Sequence, residues 1–143
     1  MDAKAIAQGT VAALEQGHYI APEGNSIDLT GLLATCLRGT QSYDPEDLVR
    51  LREHVLAQPV SQQAATFAVV NETTLQGCAR LIASQQYQRI GVLNFASAKN
   101  PGGGFLRGAQ AQEESLARSS ALSFSLRQCP EYYAFHRTQG TCL

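Results

Sequence analysis

The residues able to do chemistry are gathered between positions 90 and 120, in the stretch IGVLNFASAKNPGGGFLRGAQAQEESLARSS. A short apolar run, Ile90 to Phe95, leads through Asn94, Ser97 and Asn100 into Pro101 and three successive glycines, Gly102, Gly103 and Gly104. Gln112, Glu113 and Glu114 follow, with Gln112 eight residues beyond Gly104. Three glycines in a row lose more backbone entropy on folding than other residues would. They are kept where the chain takes φ > 0 or lets another group come close. The order strand, open loop, carboxylates fits a site for an anion or a sugar.

Elements must hold that stretch in place. Thr66 to Asn71 (TFAVVN) and Ile90 to Phe95 are β-prone apolar runs, and the residues between them, with Thr73 or Thr74 as cap and Leu75, Ala79 and Ile82 on one face, predict a helix. The three together predict a βαβ unit with parallel strands and a right-handed crossover. In an open α/β sheet ligands sit beyond the carboxyl ends of the strands, which is where Asn94 to Gly104 would emerge. A helix from about Gln110 to Leu126 is expected next, with Ser119, Ser120 and Ala121 allowing close packing.

Upstream, Ala3, Ala7, Val11 and Leu14 recur at helical spacing before Gly17, predicting a helix over 2–16. His18 to Tyr43 has no sustained period and reads as irregular, with a short strand or helix near Ile27 to Leu37. Asp44-Pro45-Glu46-Asp47 reads as a helix start, with Asp44 as N-cap and Pro45 in the first turn. That helix ends before Pro59.

The 143 residues, 44% hydrophobic and 16% charged, suit one soluble globular core. Eleven Lys and Arg against twelve Asp and Glu leave no electrostatic footprint for duplex nucleic acid. No basic leader followed by a long apolar run opens the chain and no stretch has the length of a membrane span, so a cytoplasmic, non-membrane protein is expected. Cys36, Cys78, Cys129 and Cys142 lack CxxC pairing and read as reduced thiols. His18, His54 and His136 have no ligand partners at metal spacing. Ser115 lacks the context of a hydrolase nucleophile, Tyr132 and Tyr133 read as packing, and Arg107, beside the glycines, is a candidate phosphate contact.

NPGGGFLRGAQAQEESLARSS, together with VVNETTLQGCARLI, VLNFASAKNPGGG and the later Glu131-Tyr132-Tyr133, resembles the poly(ADP-ribose) glycohydrolases of the microbial type, which are macrodomain-like. The motifs occur in order over most of the chain. The resemblance implies a three-layer α/β/α fold with an N-terminal helical extension: residues 1–60 as a helical region and 61–143 as the N-terminal part of a catalytic domain. Members of that family continue well beyond the equivalent of Leu143, so the domain is expected to be incomplete in this chain, with a truncated or cleaved piece whose other half is a separate chain favoured over a natural half-domain. The expected ligand is poly(ADP-ribose) or ADP-ribose.

The resemblance also implies roles. Glu114 would protonate the leaving ribose oxygen of a ribose-ribose O-glycosidic bond and then activate water, and Glu113 would hydrogen-bond ribose hydroxyls. Neighbouring helical residues point about 100° apart, so the two cannot act symmetrically. A helix N-terminus favours the ionised form of Glu114, so burial and nearby negative charge must work against it if the residue is to hold a proton. Gly102, Gly103 and Gly104 would offer backbone N–H groups to the diphosphate and terminal ribose, while Asn100 and Gln112 would bond the ribose or orient the loop. Asn94 and Ser97 are either site residues or local turn formers. No metal and no cofactor is expected. Two further readings share the motifs: an ADP-ribose-binding reader without turnover, and a hydrolase of single ADP-ribose units on proteins. A dinucleotide-binding Rossmann unit is disfavoured because GGG…QEE is not G-x-G-x-x-G.

Overall fold

The computed structural model describes residues 2–59 and 64–138. Cys142 lies outside them. The chain divides into two compact units, one formed by residues 1–41 and 93–143, the other by 42–92. Within the first unit the N-terminal helix packs on the turn that follows the glycines.

In the first unit, helix α1 (Ala3–Gln16) starts at Asp2, whose carboxylate accepts from the Lys4 N–H, and stops at Gly17, which adopts the left-handed conformation at φ 74°. Strands β1 (His18–Ile20) and β2 (Ser26–Asp28) form an antiparallel pair with Tyr19 opposite Ile27. Asp28 then accepts from the Thr30 N–H and hydroxyl at 2.8 and 2.7 Å, opening α2 (Thr30–Arg38). The short strand or helix expected near Ile27 to Leu37 is thus both, β2 and α2, while the hairpin that β1 makes with β2 was not expected; the Asx interaction of Asp28 that joins strand to helix is not revealed by hydrophobic period.

Beyond residue 93 come a single 3₁₀ turn (Phe105–Arg107) and helices α5 (Gln112–Arg118), α6 (Leu122–Leu126) and α7 (Pro130–Thr138). The expected single helix 110–126 is broken in two. Ser120 is the cause: its hydroxyl donates to the Leu116 carbonyl at 2.8 Å and accepts from the Leu122 N–H at 3.2 Å, replacing backbone bonds that would have continued the helix. Ala7, Phe105 and Ala117 form the core here, with Val11 packed against them. α1 therefore backs both the 3₁₀ turn and α5.

The second unit holds α3 (Pro45–Leu56) and α4 (Thr74–Ala83), each opened by a reciprocal capping box, Asp44 with Asp47 and Thr73 with Gln76. Glu72 pairs with Arg80 beside Gly77, and that guanidinium holds the Glu72 carboxyl below its ordinary range. Neither Thr66–Asn71 nor Ile90–Phe95 joins a ladder; among the described residues the β1–β2 pair is the only sheet. A strand exists only beside a partner strand, and Phe67, 90% exposed, shows how far the first run is from one.

Among the described residues no helix is long and apolar enough to cross a membrane.

Candidate active site

The site is assembled by one short helix and the loop in front of it. Glu113 and Glu114 stand in the first turn of α5, and both are buried, at 2% and 9% exposure. A buried carboxylate without hydrogen bonds is costly, so its partners decide what it can do.

Glu113 is fully engaged. Its Oε1 accepts from the Asn94 side-chain amide and from the Gly102 N–H, both at 3.3 Å, and its Oε2 accepts from the Ser97 N–H at 2.7 Å. Three donors on two oxygens is the bonding of a carboxylate acting purely as an acceptor. Glu114 is different. Its Oε1 accepts from the Gly104 N–H at 2.9 Å, and its Oε2 has no hydrogen bond among the described residues. One oxygen is anchored and the other is available. The two adjacent carboxyls are therefore not equivalent, as their divergence on the helix requires.

The glycines explain how the loop comes so close. Gly103 sits at φ +60°, and a Cβ built on it would lie 2.8 Å from the Glu114 carboxyl carbon and 3.2 Å from Glu113 Oε2. At Gly102 a Cβ would meet the Phe105 ring at 3.1 Å and the Ala117 methyl at 3.2 Å. The N–H groups of all three glycines are used inside the chain: Gly102 and Gly104 donate to the carboxylates, and Gly103 donates to the Asn100 carbonyl at 2.9 Å. In this conformation Gly102 and Gly104 aim their N–H groups at Glu113 and Glu114, and Gly103 aims its own at Asn100.

Gln112 is placed as an orienting group. Its amide donates to the Leu93 carbonyl at 2.8 Å and its side-chain oxygen accepts from the Phe95 N–H at 2.9 Å, so the carboxamide mimics a neighbouring strand for residues 93–95. That fixes Asn94, between them, against Glu113. Asn100 contributes its backbone carbonyl and N–H, the latter donating to the Ser97 hydroxyl at 3.2 Å. The Lys99 N–H shares that hydroxyl at 3.3 Å, and Ser97 thus closes a small turn over 97–100. Arg107 is exposed, with one guanidinium nitrogen 3.6 Å from where a Gly104 Cβ would stand.

Two residues of α7 also bear on this site, Tyr133, read from the sequence as packing, and Arg137, which the sequence did not single out. Tyr133 on α7 is buried, and its hydroxyl has no partner among the described residues. Burial, followed by the negative charge of Glu113, pushes its phenol up to about 12. Arg137, one turn further along α7, donates from Nε and Nη2 to the Lys99 carbonyl at 3.1 and 2.7 Å. No local sequence signal marks Arg137, because its contact joins positions 38 residues apart.

No three His, Cys, Asp or Glu side chains converge on a metal-sized position among the described residues. A groove of about 560 Å³, lined by Gly9, Leu14, Tyr19, Leu32, Cys36 and neighbours, lies elsewhere in the same unit and includes neither carboxylate.

Residues 7–143 match the family described as microbial-type PARG, catalytic domain. Among solved structures, the chain is similar to poly(ADP-ribose) glycohydrolase from Thermomonospora curvata, with a TM-score of 0.87 and 48% identity over 96% of this chain and 49% of that one. It is similar also to the same bacterial enzyme bound to the inhibitor ADP-HPD, with a TM-score of 0.84 and 46% identity, over 96% of this chain and 48% of the other. A glutamate-to-alanine mutant of that enzyme gives 0.83 and 45%, with the same coverage. The chain thus spans about half the length of these structures. No curated protein matches.

Proposed function

Because the chain belongs to the microbial-type PARG catalytic-domain family, we propose that it provides the carboxylate centre of a glycohydrolase that cleaves the ribose-ribose O-glycosidic bonds of poly(ADP-ribose) and releases ADP-ribose. The observation that carries this reading is the unequal bonding of the paired glutamates. Glu114 keeps one oxygen free of hydrogen bonds among the described residues, while both oxygens of Glu113 are taken.

In the proposed reaction Glu114 donates its proton to the departing ribose oxygen as the bond to the anomeric carbon breaks. The carboxylate left behind then takes a proton from water, and the hydroxide oxygen bonds to the oxocarbenium-like carbon. The residue ends as it began, protonated. Glu113, held as an acceptor, would align the ribose hydroxyls and lend negative charge to the developing cation. The glycines serve this reading through shape, since the sugar and diphosphate can approach a loop without side chains, and Asn100 and Gln112 serve it by holding that loop. No step calls for a metal or cofactor.

A polypeptide supplying the remaining half of the domain is part of the proposal, in a cytoplasmic setting. Its support is the exposure of Phe67, Val69 and Val70, a β-prone apolar run without a ladder. Incubation with poly(ADP-ribose), with and without such a polypeptide, tests the reading by following free ADP-ribose against retained complex. Release supports the glycohydrolase, and binding without release under both conditions leaves the reader. Release only from singly modified protein would reassign the substrate.

A further inference from the structure

The loop that grips Glu113 is itself held from behind. Ser97, Lys99 and Asn100 form one turn, knotted by the Ser97 hydroxyl, which accepts from the Lys99 and Asn100 N–H groups. One end of that turn presents the Ser97 N–H to Glu113 Oε2 at 2.7 Å, the shortest of the three bonds on that carboxylate. The other end presents the Asn100 carbonyl to the Gly103 N–H, where the glycine loop begins to fold back. The carbonyl in the middle, that of Lys99, points to α7 and accepts two N–H groups from Arg137.

Arg137 is not paired with a carboxylate in any ion pair among the described residues. Its charge is directed at one backbone carbonyl 38 positions earlier in the chain. A charge-assisted bond of this kind is stronger than a neutral one, and two donors from one planar group fix direction as well as distance. Tyr133 stands four residues before Arg137 and so on the same face of α7. It is buried, with its hydroxyl unpartnered among the described residues. One face of α7 thus meets both the turn and the neighbourhood of Glu113.

We propose that Arg137 is a positioning residue of the carboxylate site: it holds the Ser97–Asn100 turn through the Lys99 carbonyl, and so sets the N–H that aligns Glu113 and the carbonyl that shapes the glycine loop. Its consequence for turnover rests on the glycohydrolase reading, whereas its anchoring of the turn does not.

The test uses the full chain with Arg137→Met, which keeps the stem and removes the donors, and Arg137→Lys, which keeps the charge without the fork. The first readout is amide hydrogen exchange. In Arg137→Met the Ser97 and Gly103 amides should exchange about 10-fold faster, with the Ala7 to Val11 amides of α1 unchanged. In Arg137→Lys the acceleration should be partial. Unchanged exchange at Ser97, or equal acceleration in α1, overturns the proposal, the latter because it would report general destabilisation. The second readout is turnover: kcat should fall about 30-fold in Arg137→Met with KM little altered, and Arg137→Lys should recover part of it. A raised KM at unchanged kcat contradicts the positioning role. If the unaltered protein releases no ADP-ribose even with the complementary polypeptide present, the glycohydrolase reading fails on its own, and the exchange comparison still decides whether Arg137 anchors the turn.

Discussion

Gly103 and Glu114 occupy space that only one of them can fill. The glycine lies at φ +60°, and the Cβ it lacks would stand 2.8 Å from the Glu114 carboxyl carbon. Gly103→Ala therefore combines a strained left-handed backbone with displacement of the carboxyl. The expected result is a loss of about 1–3 kcal/mol in stability, seen in urea unfolding, and at least about a 100-fold fall in ADP-ribose release. Full activity in this variant would mean that Glu114 need not stay where it lies.

Asn94 is the side-chain donor on Glu113, with its own carbonyl oxygen buried and unpartnered among the described residues. Asn94→Asp replaces that donor with a second acceptor facing a carboxylate. We expect a loss of about 1–3 kcal/mol at neutral pH. In Asn94→Ala the loss should be smaller, because no second acceptor is set against the carboxylate. Chemical denaturation of the two variants beside the unaltered protein distinguishes them.

Gln112 joins α5 to residues 93–95 through both ends of its carboxamide. Gln112→Glu keeps the acceptor for the Phe95 N–H but sets an oxygen against the Leu93 carbonyl, so it should be more damaging than the loss of one bond. The expected cost is about 2 kcal/mol, with faster amide exchange at Phe95. Gln112→Met, which leaves the Leu93 carbonyl free to find water, should cost less.

Tyr133 gives an alkaline signature. Its phenol is raised from 10.0 to about 12, first by burial and then by the Glu113 charge. The unfolded chain therefore loses this proton at lower pH than the folded one. The stability it contributes is present below pH 10 and is lost as pH rises through the folded value near 12. Tyr133→Phe should abolish that part of the alkaline slope. Because it also removes a buried hydroxyl without a partner among the described residues, it should leave stability at pH 7 equal or slightly higher. Identical slopes for the two proteins between pH 10 and 12 would contradict this placement of the phenol.

What could be read without the fold is what is decided locally. Asp44 and Thr73 cap their helices as expected, since a cap depends on residues three positions away. The glycine triplet and the Glu113-Glu114 pair could be singled out from their order and spacing, but not that the Gly102 and Gly104 N–H groups donate to the two carboxylates. The strand character of Thr66–Asn71 and Ile90–Phe95 was legible only as composition, because the ladder that makes a strand lies across the chain and is not formed among the described residues. Ser120 broke a helix that its apolar neighbours favoured, by a side-chain bond that propensity does not anticipate. Arg137 was invisible as a site residue, since only the packing of α7 brings it to the loop.

In the proposed reaction Glu114, with one oxygen free of hydrogen bonds among the described residues, performs the proton transfers, and its engaged neighbour Glu113 does not. Free ADP-ribose released from poly(ADP-ribose) should be measured side by side for the unaltered protein, Glu114→Gln and Glu113→Gln, with the complementary polypeptide present. The account predicts that Glu114→Gln, which keeps the shape and cannot exchange a proton, lowers kcat by about 1,000-fold or more with binding retained. Glu113→Gln should weaken binding and rate together, because its amide nitrogen cannot accept and so gives up either the Ser97 bond or the bonds from Asn94 and Gly102. Turnover that survives in Glu114→Gln while vanishing in Glu113→Gln would contradict the assignment.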